Sequence, residues 1–460
     1  MRTRSDSAPA SAPPEIQWDK VGVLVGGQAL AQCGSFILLI AMSWTAVQLG
    51  GTTGVSMVLL AASLPRALML IFGGAVADML GPRFVLLRTT AARIGVLIAG
   101  TAVVYHVESL WPLVVIALLD GILLGLGGPS SGSLMPQFAK RDYLTRANSL
   151  YAMVLRIAPI TGAPIGAWLI SVGQLWHALL VTSLTCTAWL ICLLYVTSGL
   201  TRPRREPGES MVRRSADGFR LLARHPRLRW IFLASFTLDM AFGWPLEVAL
   251  PLLVSERGWN VGVVGAVVAS FGAGALVSSA LGTLIAHRIP LFARLVVTGT
   301  GIAAGILLMA LLPSVTALCV LAGIVGLLSG FNGPAIVTMY QQAAPPARMG
   351  AAMSTLALAG IGTAPISITV FSTLSLVLGV SPTWVICGLL AFLSPVAAVM
   401  ALRHPVRSKD ADDAADSPEE GPGTGTADGR PHPQAPAEAA VATDATDARK
   451  DVPAPAPASV

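Results

Sequence analysis

Gly22–Gln48 reads GVLVGGQALAQCGSFILLIAMSWTAVQ, and none of its side chains carries a charge. An α-helix rises ~1.5 Å per residue, so about 20 apolar residues cross the ~30 Å hydrocarbon layer of a bilayer. This run exceeds that length, and the chain repeats the pattern. Further runs lie near residues 55–77, 84–105, 110–134, 148–172 and 175–198, and a second six near 230–254, 261–286, 291–312, 315–341, 348–378 and 382–403. With 54% hydrophobic residues, 12% charged residues and a mean hydropathy of +0.71, the composition is far from that of a soluble domain. The expectation is an all-α polytopic membrane protein of twelve transmembrane helices, in two six-helix bundles at residues 21–198 and 230–403.

The segments outside the runs are polar. Residues 1–20 are rich in Pro, Ala and Ser, and no small-residue cleavage site follows, so they read as a disordered segment and not as a removable signal. Residues 199–229 form a loop crowded with arginine, from Arg202 and Arg204 to Arg224 and Arg227. Residues 404–460 mix Asp, Glu, Pro, Ala, Thr and Gly without apolar periodicity and cannot bury a core. Basic residues near span ends stay on the cytoplasmic side. Arg83, Arg88, Lys140, Arg141, Arg146, Arg288, Arg294, Arg348, Arg403 and Arg407 all fall on one side, and only Arg257 on the other. Both termini and the central loop are therefore expected in the cytoplasm, with the body in the inner or plasma membrane. The net charge of +6 then reports topology and contact with anionic lipid head groups. No nucleic-acid-binding motif accompanies it. The five cysteines fall inside the runs and read as packing residues, and neither a metal-ligand spacing nor a cofactor motif is present.

Five ionisable side chains sit well inside the runs: Arg66, Asp120, Arg156, Asp239 and Glu247. Each costs about 2.5–3.5 kcal/mol at a helix centre, so such groups face a cavity or a partner. Asp239 lies ~14 Å into its span and Glu247 ~12 Å further, on one side of a helix kinked at Trp244-Pro245. Carboxyls held away from water exchange protons nearer neutrality. Asp239 is thus the first candidate for proton coupling, Glu247 the second and Asp120 a third, with a static structural pair as the competing reading. Arg66 and Asp120 fall at similar depth and read as a buried ion pair, either fixed or opening during transport. Arg156 lies nearer the cytoplasmic end and is expected to snorkel to the interface. Gln28, Gln32 and Ser35 recur at helical spacing as a polar stripe on the first run.

The two sets of six echo each other. Gly128-Pro129 precedes Ala163-Pro164-Ile165 as Gly333-Pro334 precedes Ala364-Pro365-Ile366, and Gly74, Pro82 and Phe84 correspond at one offset to Gly282, Pro290 and Phe292. Such a repeat is the layout of transporters with a midplane site. The connector Gly74-Ala-Val-Ala-Asp78-Met-Leu-Gly81-Pro-Arg83 resembles the loop signature of the major facilitator superfamily, although Met79 and Pro82 stand where that signature is usually basic. Around Leu144, Ala147, Asn148 and Leu150 the chain resembles the macrolide-efflux and enterobactin-exporter branch. Gly162, Pro164 and Gly166 are similar to the antiporter motif of the fifth span, with Ala163 in place of its usual proline. Several roles follow from the resemblance. Gly74, Asp78, Gly81 and Arg83 would form a conformational latch, and spans one, four, seven and ten would line a central cavity. Gln28, Gln32, Trp244 and Asn332 would then be substrate-contact candidates. Gly162 and Gly166, with Pro164, read as helix-packing residues.

Gly128-Pro129-Ser130-Ser131-Gly132 matches a serine-hydrolase elbow as a string, but that chemistry needs a strand-to-helix turn and a histidine base. The segment lies in a helical run. The functional expectation is a monomeric secondary transporter, not an enzyme, exporting a small amphipathic compound against protons by alternating access. A proton-linked importer of the same fold and a non-transporting membrane receptor or scaffold are the alternatives.

Overall fold

The structure, a computed structural model, describes residues 18–138, 141–197, 219–285, 289–312, 314–345 and 349–404. The N-terminal segment before residue 18, most of the central loop and the tail beyond residue 404 lie outside it. So do the side chains of Gly74, Asp78 and residues 131–155, and with them the acidic half of the proposed latch and the segment around Asn148.

The chain is helical from Trp18 to Leu80, but Gly51, at φ 54° and ψ −141°, breaks this run. A side chain there would be strained, and the break turns one long helix into two membrane-length ones, α1 (18–50) and α2 (52–80). The remaining helices are α3 (Pro82–His106), α4 (Leu110–Phe138), α5 (Arg141–Val172) and α6 (Leu175–Thr197) in the first half. The second half holds α7 (Pro226–Glu256), α8 (Gly262–Ile285), α9 (Leu291–Leu311), α10 (Val315–Ala343), α11 (Met349–Leu378) and α12 (Val380–Leu402). Among the described residues these twelve helices run alternately up and down, which brings residues 18 and 404 to the same end of the bundle.

Connections are short and locally encoded. Gly81, at φ 91°, reverses the chain between α2 and α3, and Pro82 starts α3 where a missing N–H costs nothing. Within α7, Pro245–Ala249 forms a π-turn, in which the Leu250 N–H reaches back to the Pro245 carbonyl. Two side chains of α11 brace that helix: Ser367 Oγ donates to the Met240 carbonyl at 2.7 Å, and the Trp244 indole donates to Ser372 Oγ at 3.0 Å.

Small residues set the close crossings. A Cβ on Gly162 would lie 2.5 Å from the Cys33 carbonyl oxygen, and one on Gly166 2.7 Å from that of Ile37, so α5 lies directly on α1. In α4, Gly121 abuts the Ala62 carbonyl and Gly125 that of Arg66. In α10, Gly326 abuts the Phe271 carbonyl and Gly330 the Ser278 side chain. Gly121 and Gly125 stand to Gly326 and Gly330 at the same offset as Gly128 to Gly333, so α2 with α4 and α8 with α10 are two copies of one contact.

The apolar core is forked. At the Gly51 end one cluster joins both halves, with Ile37, Ala46 and Val55 packed with Trp244, Val254 and Val264. Toward the end that carries residues 18 and 404 the described core divides. One cluster, containing Leu24, Leu86 and Leu193, belongs to the first half, and another, containing Ile231, Met339 and Ala398, to the second. Among the described residues, the two halves therefore share one core at the Gly51 end and have a cluster each toward the other.

Candidate functional site

A chamber of about 470 Å³ opens where the shared core divides. Apolar side chains form most of its wall, including Phe36, Leu39, Met42 and Leu59, and six polar groups line it: Gln32 and Ser35 from α1, Ser63 and Arg66 from α2, Asp120 from α4 and Glu247 from α7. Gly360 and Ala364 of α11 close its far side. The second half thus contributes one ionisable group among the described residues, set in the π-turn of α7.

The Asp120 partner differs from the one expected. Its carboxylate is held by Arg93 of α3, with Nε to Oδ1 at 2.6 Å and Nη2 to Oδ2 at 3.4 Å, and Arg93 Nη2 also donates to Ser35 Oγ at 3.1 Å. Both side chains are buried, at 7% and 12% exposure. A fork of this kind satisfies two buried charges at once. Arg66 is not the salt-bridge partner. It lies within electrostatic reach of Asp120, Arg93 and Glu247 at once, and no hydrogen bond ties it to any of them. Arg93 was legible in principle, because it too is an arginine well inside an apolar run, ten residues past Arg83.

Several other candidates move. Trp244 and Asn332 do not line the chamber. Trp244 is wholly buried in the shared core, bonded to Ser372 and packed against Phe371. Asn332 is buried against α9, donating to Thr298 Oγ1 at 2.8 Å. Both sit on helices that are apolar nearly all round, where a pattern of polar residues cannot tell the cavity face from the packed one. Asp239 is exposed, accepts a 3.3 Å hydrogen bond from Ser235 and lies outside the described linings of both cavities. It sits at the level where the core of the second half gives way to the shared core, short of the chamber that Glu247 reaches. Arg156 does not snorkel: its Nη1 donates to the Ala275 carbonyl of α8 at 3.0 Å and ties the two halves. Gln28 and Gln32 line a second, adjoining cavity. Arg83 is half-buried just after the Gly81 turn. Ser130, the serine of the hydrolase-like string, is buried in α4.

A chamber between two six-helix halves related by an internal repeat, walled by apolar groups and holding a few ionisable ones, is the layout of a membrane transporter. The chain belongs to the Major Facilitator Superfamily, whose model matches residues 24–361 and, in a second alignment, 248–441. It is a multi-pass membrane transporter, not an enzyme. Among characterised proteins it is similar to the "Multidrug efflux pump Tap" of Mycolicibacterium fortuitum, at 24% identity over 393 residues, which covers 81% of this chain and 93% of that one. Among solved structures it resembles a POT family transporter in complex with 5-aminolevulinic acid. That match has a TM-score of 0.67 at 13% identity and covers 84% of this chain and 96% of the other. A POT family transporter in complex with a thioalcohol-conjugated peptide matches with the same values. At that identity the likeness is one of fold.

Proposed function

We infer that this protein exports small amphipathic compounds in exchange for protons, and that Glu247 is the carboxyl that couples the two. The observation that carries the reading is the position of Glu247. Among the described residues it is the ionisable group that the second half brings to a chamber otherwise charged by the first, and it stands within electrostatic reach of Arg66 on the opposite bundle. A charge at Glu247 draws Arg66, and with it the first bundle, toward α7. A proton on Glu247 removes that attraction. Protonation and the approach of the bundles are then linked through one contact. Asp120 is already neutralised by Arg93, which suits it to hold the first bundle together better than to carry a proton in each cycle.

Three further points support the reading. The apolar wall suits an amphipathic cargo. The resemblance to a protein named as a multidrug efflux pump supports the outward direction. A proton crossing 100 mV contributes ~2.3 kcal/mol before any pH gradient is added, so no nucleotide is needed. With basic connectors facing the cytoplasm, both termini are cytoplasmic, and the divided end of the core faces inward in the plasma membrane. A monomer contains the whole chamber.

Inverted membrane vesicles test the assignment. Wild type should accumulate ethidium when the lumen is acidified and lose it on addition of a protonophore. Glu247→Gln should abolish this accumulation, while Asp239→Asn retains most of it. Loss with Asp239→Asn and retention with Glu247→Gln would reverse the assignment.

A further inference from the structure

Behind the chamber, inside the first bundle, lies a second cavity of about 210 Å³ enclosed by α1, α2, α3, α4 and α6. It shares Gln32, Arg66, Leu124 and Gly128 with the chamber, so the two are continuous. Their chemistry differs. Around the side pocket stand Gln28, Gln32, Thr89, Thr90, Arg66 and Arg93, and among the described residues no carboxylate lines it. The Gln32 amide and the Thr90 hydroxyl make no hydrogen bond to the described residues. Both groups therefore face the open space of the pocket, where a bound molecule can reach them. A space several times the ~30 Å³ share of one water molecule can hold what would satisfy them.

The charges define what that is. Arg93 is neutralised by Asp120 at 2.6 Å, and Arg66 stands within electrostatic reach of both Asp120 and Glu247. Two guanidinium groups repel a cation from the pocket, and with Glu247 ionised, as in the cargo-bound state, the four groups together carry no excess charge to hold a full anion. Uncharged oxygen acceptors, such as ether, hydroxyl or carbonyl groups, match such a wall.

We propose that this side pocket is a specificity subsite: the apolar body of the cargo occupies the chamber while an uncharged, oxygen-rich arm passes Gln32 and hydrogen-bonds to Gln32 and Thr90. The proposal rests on the reading of the chain as a carrier of amphipathic compounds and adds to it the chemistry of one end of the cargo.

The test uses the full-length protein in lipid nanodiscs and three dansyl amides that share one aromatic body. One carries a triethylene glycol arm, one an alkyl arm of equal length and one an arm ending in a carboxylate, and binding is read from dansyl fluorescence. The glycol compound should bind most tightly. The Gln32→Leu/Thr90→Val double variant should weaken it about tenfold and weaken the alkyl compound much less, since Gln32 also lines the chamber. The near-isosteric Thr90→Val variant alone should weaken the glycol compound about threefold, which keeps the test open should the double variant fail to fold. Equal loss for both arms, no loss for the glycol arm, or tightest binding of the carboxylate compound would overturn the subsite while leaving the carrier reading intact. If none of the three compounds binds, the carrier reading fails and the subsite with it.

Discussion

Arg93 and Asp120 show what a single residue contributes before any transport occurs. Two charges buried between α1, α3 and α4 persist because each satisfies the other and Ser35 takes one of the remaining donors. Removing one leaves the other buried and alone, which costs about 3–5 kcal/mol. Arg93→Met should therefore lower the thermal stability of the detergent-purified protein sharply. The double variant Arg93→Met/Asp120→Leu should recover much of that loss, because a buried pair replaced by apolar groups of similar volume is often close to neutral. Equal melting temperatures for the single and double variants would show that the pair is not coupled. The same logic limits what reading residues one at a time can achieve. Arg66, Asp120 and Glu247 stand out because charge is out of place in hydrocarbon, but which cation meets Asp120 depends on how α3 is turned against α4, and no spacing along the chain records that.

At the scale of elements the crossings were legible for a simple reason: a helix must span a fixed hydrocarbon thickness, and length with apolarity is read directly. The π-turn at Pro245–Ala249 and the faces presented by Trp244 and Asn332 were not, because on helices apolar all round there is no stripe to orient. The glycine pairs at 121 and 125 and at 326 and 330 lay in plain view at the repeat offset, yet glycine declares its role only once the opposing carbonyl is placed. Two consequences belong here. Gly51→Ala puts a side chain at φ 54° and should cost about 1–3 kcal/mol, seen as a lower melting temperature with transport retained at low temperature. Gly166→Leu drives a side chain into the Ile37 backbone and should abolish the monodisperse peak in fluorescence-detected size exclusion. A normal elution profile for Gly166→Leu would show that α5 and α1 do not pack as described.

For the whole molecule the forked core is the feature that matters. Joined at the Gly51 end and, among the described residues, divided at the other, the bundles can exchange which end is closed only if contacts such as Gln48 Nε2 to Ser255 Oγ, 3.2 Å apart, separate during the cycle. A disulfide between Gln48→Cys and Ser255→Cys should therefore stop transport, and reduction should restore it. Full activity of the oxidised protein would mean that this end never opens. Coupling is the central claim, and the most direct measurement is of protons themselves. Ethidium added to weakly buffered, detergent-purified protein at neutral pH should release protons into the medium, read by a pH-sensitive dye, because cargo and proton compete through Glu247. Glu247→Gln should release none while still binding ethidium. Proton release that persists undiminished in Glu247→Gln would contradict the account.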